Sequence, residues 1–148
     1  MIWIGIDPGK KGAYAQICGD RVEVWPWDDA AFVEHMHTLV DDKADFMMAA
    51  VEKVGAMPGQ GTVSMFSFGK SAGFIEGVLA GLGVPYQLIP PATWKREFSL
   101  IRTEKRQSIV VARRMFPNVD LRPTERARVE SDGLADAVLL AEYARRKL

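Results

Sequence analysis

The chain opens Met1-Ile-Trp-Ile-Gly-Ile-Asp-Pro-Gly-Lys-Lys-Gly12. Ile2, Ile4 and Ile6 alternate with Trp3, Gly5 and Asp7, so a period-two strand carries one aliphatic face and delivers Asp7 at its end on the other. Pro8 and Gly9 force a turn, Gly12 adds a second point of backbone freedom, and Lys10 and Lys11 lie between them. Asp-Pro-Gly is good turn chemistry in any protein. A functional role for Asp7 therefore depends on the partners that the rest of the chain offers it.

Working outward, Ala13 to Cys18 and Arg21 to Trp27 read as two more strands joined by a tight turn at Gly19-Asp20, which makes a three-stranded antiparallel meander with the first. Asp28 or Asp29 can cap a helix running to about Val40, with Phe32, Met36, Leu39 and Val40 as its apolar stripe. His35 and His37 lie two apart and point in different directions, so no metal site is expected there. Asp45 to Val54 contains the run Phe-Met-Met-Ala-Ala-Val followed by Glu52-Lys53, the pattern of a parallel strand buried on both faces with an acid at its end.

Gly55 to Lys70 reads as a glycine-rich loop holding Met57, Met65, Phe66 and Phe68, side chains too apolar for full exposure. They either tuck under the loop as a satellite core or form a surface that docks on bases or on another subunit. Ser71 to Leu82 reads as a helix dense in glycine and alanine, suited to close core packing or to a dimer seam. Val84 to Ile89 is a further strand, and Pro90-Pro91 opens a short helix with Trp94, Lys95 and Arg96. Thr103 is placed to cap a helix from Glu104 to Phe116 with Ile109, Val110 and Met115 inward, ended by Pro117. Asn118 to Glu130 is polar and basic without periodicity, a loop expected to order poorly without a ligand. Ser131 then caps a last helix that begins with Asp132 and Asp136, two carboxylates on one face. The later strands alternate with helices, as in an α/β chain.

The composition, 48% hydrophobic and 26% charged over 148 residues, fits one compact domain spanning 1–148. Cys18 is the only cysteine, so no internal disulfide or cysteine zinc cluster can form. It reads as a core or strand residue, and the usage suits a reducing cytoplasm. No apolar run approaches the roughly 20 residues of a membrane span, and the N-terminus lacks a signal-peptide pattern; a soluble, cytoplasmic protein is expected. Net charge is zero but unevenly spread: residues 1–60 carry five basic and ten acidic side chains, and 61–148 carry fourteen and nine. The basic half can face a polyanion.

Four acids at three element ends share one property, that each stands at the polar edge of an apolar element. Asp7 ends the first strand, Glu52 ends a central strand, and Asp132 with Asp136 begins the final helix. The helix dipole accounts for Asp132 without any ligand role; it accounts less well for Asp136, which is flanked by Ala135, Ala137, Val138, Leu139 and Leu140 and needs a cation or donors to offset its burial. If these ends converge, their carboxylates repel unless a divalent cation binds them. Oxygen ligands without Cys or His favour Mg2+ or Mn2+ over zinc. A pair of such ions can activate water and stabilise the leaving oxygen in phosphodiester cleavage.

Gly-Ile-Asp-Pro-Gly, the Val-Glu-Lys strand end, Met-Pro-Gly-Gln-Gly with Met-Phe-Ser-Phe-Gly, Thr-Trp-Lys-Arg, Arg-Arg-Met-Phe-Pro and Ser-Asp-Gly-Leu-Ala-Asp-Ala occur in that order over nearly the whole chain. Together they resemble RuvC-type Holliday-junction resolvases, most of all their compact phage and prophage forms. The resemblance implies a ribonuclease H-like fold, a mixed five-stranded sheet of an antiparallel meander plus two parallel strands flanked by helices. It implies a Mg2+-dependent homodimer that nicks four-way DNA junctions in recombination and repair. On this resemblance Asp7 is the first-strand metal ligand, Glu52 the second-strand ligand and Asp136 the ligand of the final helix. Many members carry another ligand three residues before that last acid, where this chain has Gly133; Asp132, four before it, is the candidate on the same helical face.

DNA contact is expected from the basic half: Lys10, Lys11, Lys53 and Lys70 beside the proposed site, then Lys95, Lys105 and Arg106, with Phe66 and Phe68 as contacts to the junction or the partner subunit. Some of these lysines serve only as solvated surface. Two rival functions follow from the same residues. One is a nuclease acting on RNA–DNA hybrids or flaps, and the other is a catalytically silent DNA-binding scaffold.

Overall fold

A computed structural model describes every residue except Lys10, residues 43–45, residues 56–58 and Gln60. Its sheet is built from β1 (Ile2–Asp7), β2 (Ala13–Cys18), β3 (Arg21–Pro26), β4 (Met47–Glu52) and β5 (Tyr86–Ile89), in the spatial order β3-β2-β1-β4-β5. The first three strands form the antiparallel meander, and β4 and β5 add in parallel, β1 to β4 and β4 to β5. The hairpin between β2 and β3 turns at Gly19, in the left-handed region at φ 60°. The helices are α1 (Asp29–Asp41), α2 (Thr62–Gly81), α3 (Pro91–Glu97), α4 (Gln107–Met115) and α5 (Asp132–Lys147). The expected mixed five-stranded α/β architecture is therefore the observed one.

The alternation in β1 sorts the core into two layers. Ile4 and Ile6 face Phe32 and Met36 of α1 and Ile75 and Leu79 of α2. The opposite face of the sheet meets α5 through Ala135, Ala137, Val138 and Ala141, with Trp94 of α3 and Ile109 of α4 alongside. Gly5 makes this second layer possible. A Cβ at that position would stand 2.1 Å from the Ala137 carbonyl oxygen and 2.2 Å from the Ala141 nitrogen, so α5 crosses β1 at backbone distance and only glycine fits beneath it. Asp7, two residues on, shares that face.

Several local expectations are corrected. The stretch read as a loop to Lys70 is helical from Thr62 onward; its glycines lie four apart at 69, 73, 77 and 81, and tertiary context overrides their low helix propensity. Met65, Phe66 and Phe68 are not a satellite core: they are 36%, 75% and 40% exposed. Thr103 does not cap α4, because its hydroxyl donates instead to the Leu100 carbonyl oxygen at 2.9 Å and the helix begins at Gln107. Val110 is 56% exposed, and its inward place is taken by Val111 and Ala112.

Cys18 ends β2 as a strand residue but is exposed. Ser131 stands at the N-cap of α5 without a side-chain capping bond. The segment 118–130 is irregular, yet it is held by fully buried Leu121 and by the ion pair of Arg113 with Glu130 at 2.7 Å. The strand start at Asp45 and the loop position of Met57 lie outside the described residues.

Candidate active site

Parallel register brings the first two acids together. Ile6 pairs with Val51, so the next residue of each strand, Asp7 and Glu52, emerges at the same edge of the sheet. Both continue the face of Gly5 and Ala50 that lies under α5. The close crossing of α5 over Gly5 sets the start of that helix above the same edge. Asp7, Glu52, Asp132 and Asp136 all line one cleft of about 750 Å3. Its opposite walls come from the N-terminal turns of α2, with Val63, Ser67 and Phe68, and from the α3–α4 connection, with Leu100, Thr103 and Lys105.

The electrostatics follow from crowding acids under a helix. Burial, then the charges of Glu52, Asp136 and Asp132, push the Asp7 carboxyl up from 3.8 to about 8, with Lys95 opposing. Burial raises Asp136 to about 6, while the Ser108 hydroxyl and the Lys95 charge pull it back down. Elsewhere acids have cations in contact, as Arg122 does with Asp120 and Arg145 with buried Glu142. Among the described residues none of the four cleft acids is in an ion pair within 4.0 Å. Lys95 acts on the acids through its field.

The donor set suits a hard divalent cation. It consists of carboxylate oxygens in a partly buried cleft, carrying more negative charge than the nearby lysines neutralise by contact. Among the described residues no three of the acids stand close enough as placed to form a ligand cluster for a metal ion. Gly133 explains why the position three before Asp136 carries no ligand in this chain. A Cβ there would stand 2.3 Å from the Lys11 carbonyl oxygen. Asp132, one residue earlier, lines the cleft.

Of the residues expected to touch DNA, Lys11, Lys95, Lys105 and Phe68 line the cleft. Lys53, Phe66, Lys70 and Arg106 are exposed but outside its lining, and Lys10 lies outside the described residues. Trp94 and Ser108 were not anticipated as site residues. The Trp94 indole N–H donates to Glu52 Oε2 at 2.7 Å, and buried Ser108 sits beside Asp136. The signal for Trp94 was present, since a buried indole needs an acceptor; Ser108 carried none.

The fold is shared with solved structures across almost the full length. RuvC of Thermus thermophilus in complex with a Holliday junction substrate is similar at 19% identity and TM-score 0.57, over 99% of this chain and 97% of that one. The Thermus thermophilus RuvC structure is similar at 19% identity and TM-score 0.55, over 99% and 96%. The fowlpox virus resolvase, in complex with its substrate Holliday junction DNA, is similar at 20% identity and TM-score 0.53, over 97% and 98%. Neither a protein-family model nor a curated protein sequence matches the chain.

Proposed function

We propose that this chain is a Mg2+-dependent, structure-selective endodeoxyribonuclease that nicks four-way and other branched DNA, working as a single domain in the cytoplasm. The observation that carries this reading is the convergence of Asp7, Glu52, Asp132 and Asp136 on one cleft whose rim bears Lys11, Lys95 and Lys105. The acids would hold Mg2+, or Mn2+ in its place. When bound, such an ion lowers the pKa of water to make the nucleophile and stabilises the leaving oxygen of the phosphodiester. The chain's own contribution is placement: Lys11 and Lys105 draw the phosphate backbone in, Lys95 adds positive field near Asp7 and Asp136, and Ser108, whose hydroxyl donates to the Lys105 carbonyl oxygen at 3.0 Å, lies against Asp136. The junction DNA held by two of the similar structures favours branched DNA over an RNA–DNA hybrid.

A second copy of the chain completes the proposal. Over its 20 residues α2 carries only Lys70 and Glu76 as charges, yet only Ile75 and Leu79 are fully buried. Cβ atoms added at Gly69, Gly73, Gly77 and Gly81 would meet nothing within 4 Å, and Val63 and Phe66 stand 84% and 75% exposed. An apolar helix with an open small-residue face suits a homodimer, and two clefts then serve the two strands to be cut.

The test offers a synthetic four-way junction, a flap and an RNA–DNA hybrid in parallel, with and without Mg2+, to wild type, Asp7→Asn and Asp136→Asn. Paired, Mg2+-dependent nicking of the junction is expected from wild type, with both variants binding the junction but not cutting it. Nicking retained by Asp7→Asn, or preferential cutting of the hybrid, overturns the reading. A chain that binds junction DNA without binding Mn2+ is a scaffold.

A further inference from the structure

Glu52 leaves β4 beside a tryptophan, and the topology brings the two together. β5 pairs with β4 in a register that sets Ile89 opposite Glu52. Pro90 and Pro91 then turn the chain directly into α3. The helix that follows this strand pair therefore starts next to the acid, and its fourth residue, Trp94, is completely buried. The indole Nε1–H donates to Glu52 Oε2 at 2.7 Å, a length typical of a bond to a charged acceptor. The ring centre also lies 5.3 Å from the Lys95 Nζ, within cation–π range.

The far end of α3 is anchored as firmly. Glu97 pairs with Lys147 at 3.0 Å and with Arg146 at 3.4 Å. Arg146 also pairs with buried Glu142 at 2.7 Å, and its guanidinium lies 5.3 Å from the Phe98 ring centre. The indole is thus fixed relative to α5, the helix that carries Asp132 and Asp136. A carboxylate offers two oxygens with about four acceptor sites, and the oxygen facing Trp94 already accepts one hydrogen bond.

We infer that Trp94 is a positioning residue of the acid cleft: its indole N–H pins Glu52 Oε2 and so sets the orientation in which the carboxylate, Oε1 foremost, is presented to a divalent cation, and its ring steadies Lys95 in the cleft it shares with Asp7 and Asp136. The metal half of this inference rests on the nuclease reading; the pinning of Glu52 does not. Partners that orient metal ligands from behind typically change metal affinity by about 10- to 100-fold when lost.

The experiment uses the full chain labelled with 15N, in which each of the four tryptophans gives one indole N–H resonance. The Trp94 signal is assigned by its absence in Trp94→Phe. It is expected downfield in wild type, to move upfield in Glu52→Ala, and to shift when Mg2+ is added. In parallel, Mn2+ binding is followed by electron paramagnetic resonance. Trp94→Phe is expected to weaken binding about tenfold in the wild-type background and to change it less than twofold in the Glu52→Ala background, since the loss acts through Glu52.

A Trp94 resonance indifferent to Glu52→Ala, or equal Mn2+ losses in both backgrounds, overturns the inference and leaves Trp94 as core filling. If Trp94→Phe does not fold, the same bond is read from the other side: assignment passes to the indole signal that Glu52→Ala moves, and no moved signal overturns the inference. If wild type binds no Mn2+, the nuclease reading and the metal half fall together, while the indole shift still decides whether Trp94 pins Glu52.

Discussion

Gly133 and Lys11 meet backbone to backbone at the mouth of the acid cleft: a Cβ on Gly133 would stand 2.3 Å from the Lys11 carbonyl oxygen and 3.4 Å from Asp7 Oδ2. The obstacle is main chain and cannot rotate aside, so Gly133→Ala must push the turn after β1 away from the start of α5. The expected cost is about 1–3 kcal/mol of stability, read by denaturant unfolding. Junction nicking should fall by more than the stability loss explains, because Asp7 and Asp136 sit on the two parts being separated.

Stability of the metal-free protein should fall as pH rises. Asp7 at about 8 and Asp136 at about 6 both lie above the ordinary 3.8, first because of burial. The folded chain therefore holds protons that the unfolded chain has released. The stability this contributes is complete below about pH 3.8 and is lost as pH passes 6 and then 8. Asp7→Asn removes the larger part of this dependence. At pH 8 without metal its melting temperature should exceed that of wild type by roughly 3–8 °C, corresponding to about 1–2 kcal/mol. The gain should vanish near pH 4, and Mg2+ should stabilise wild type far more than the variant. Parallel melting curves for the two proteins without metal would contradict this account.

Phe66 and Ile75 lie on the same helix with opposite duties. Phe66 is 75% exposed and Ile75 is fully buried. Phe66→Ala should change chemical stability by less than about 0.5 kcal/mol at concentrations where the chain is monomeric, while weakening self-association measured by sedimentation or binding to the junction. Ile75→Ala should cost about 2–5 kcal/mol.

The lysines separate by position. Lys11→Ala and Lys105→Ala, at the cleft, should each reduce the salt dependence of junction binding by about one in the log–log slope and slow nicking more than they weaken binding. Lys70→Ala, outside the cleft lining, should reduce the slope without a separate effect on nicking. Titration of binding against salt, together with single-turnover nicking, distinguishes the two classes.

The sheet and the acids were legible in the sequence because they rest on short-range rules. Period-two alternation read β1 and its Asp7, an apolar run ending in an acid read β4 and Glu52, and i, i+4 spacing read the face shared by Asp132 and Asp136. What failed depended on context outside the local window. The glycines of α2 lower helix propensity, so Thr62 to Lys70 read as a loop although 20 residues continue as one helix. The Trp94–Glu52 bond joins residues 42 apart through the register of β4 and β5, which no local pattern encodes. Gly133 read as a missing ligand, and only the approach of Lys11 makes it a steric requirement.

The crossing of α5 over Gly5 also orders events during synthesis. Asp7 and Glu52 leave the ribosome before Asp136, and Ala137 and Ala141 must settle on Gly5 before the acids share a cleft. A nascent chain folding from its N-terminus carries half of its candidate catalytic acids without the rest. Cutting competence, on the proposed reading, is thereby deferred until residues 132–147 have emerged and docked.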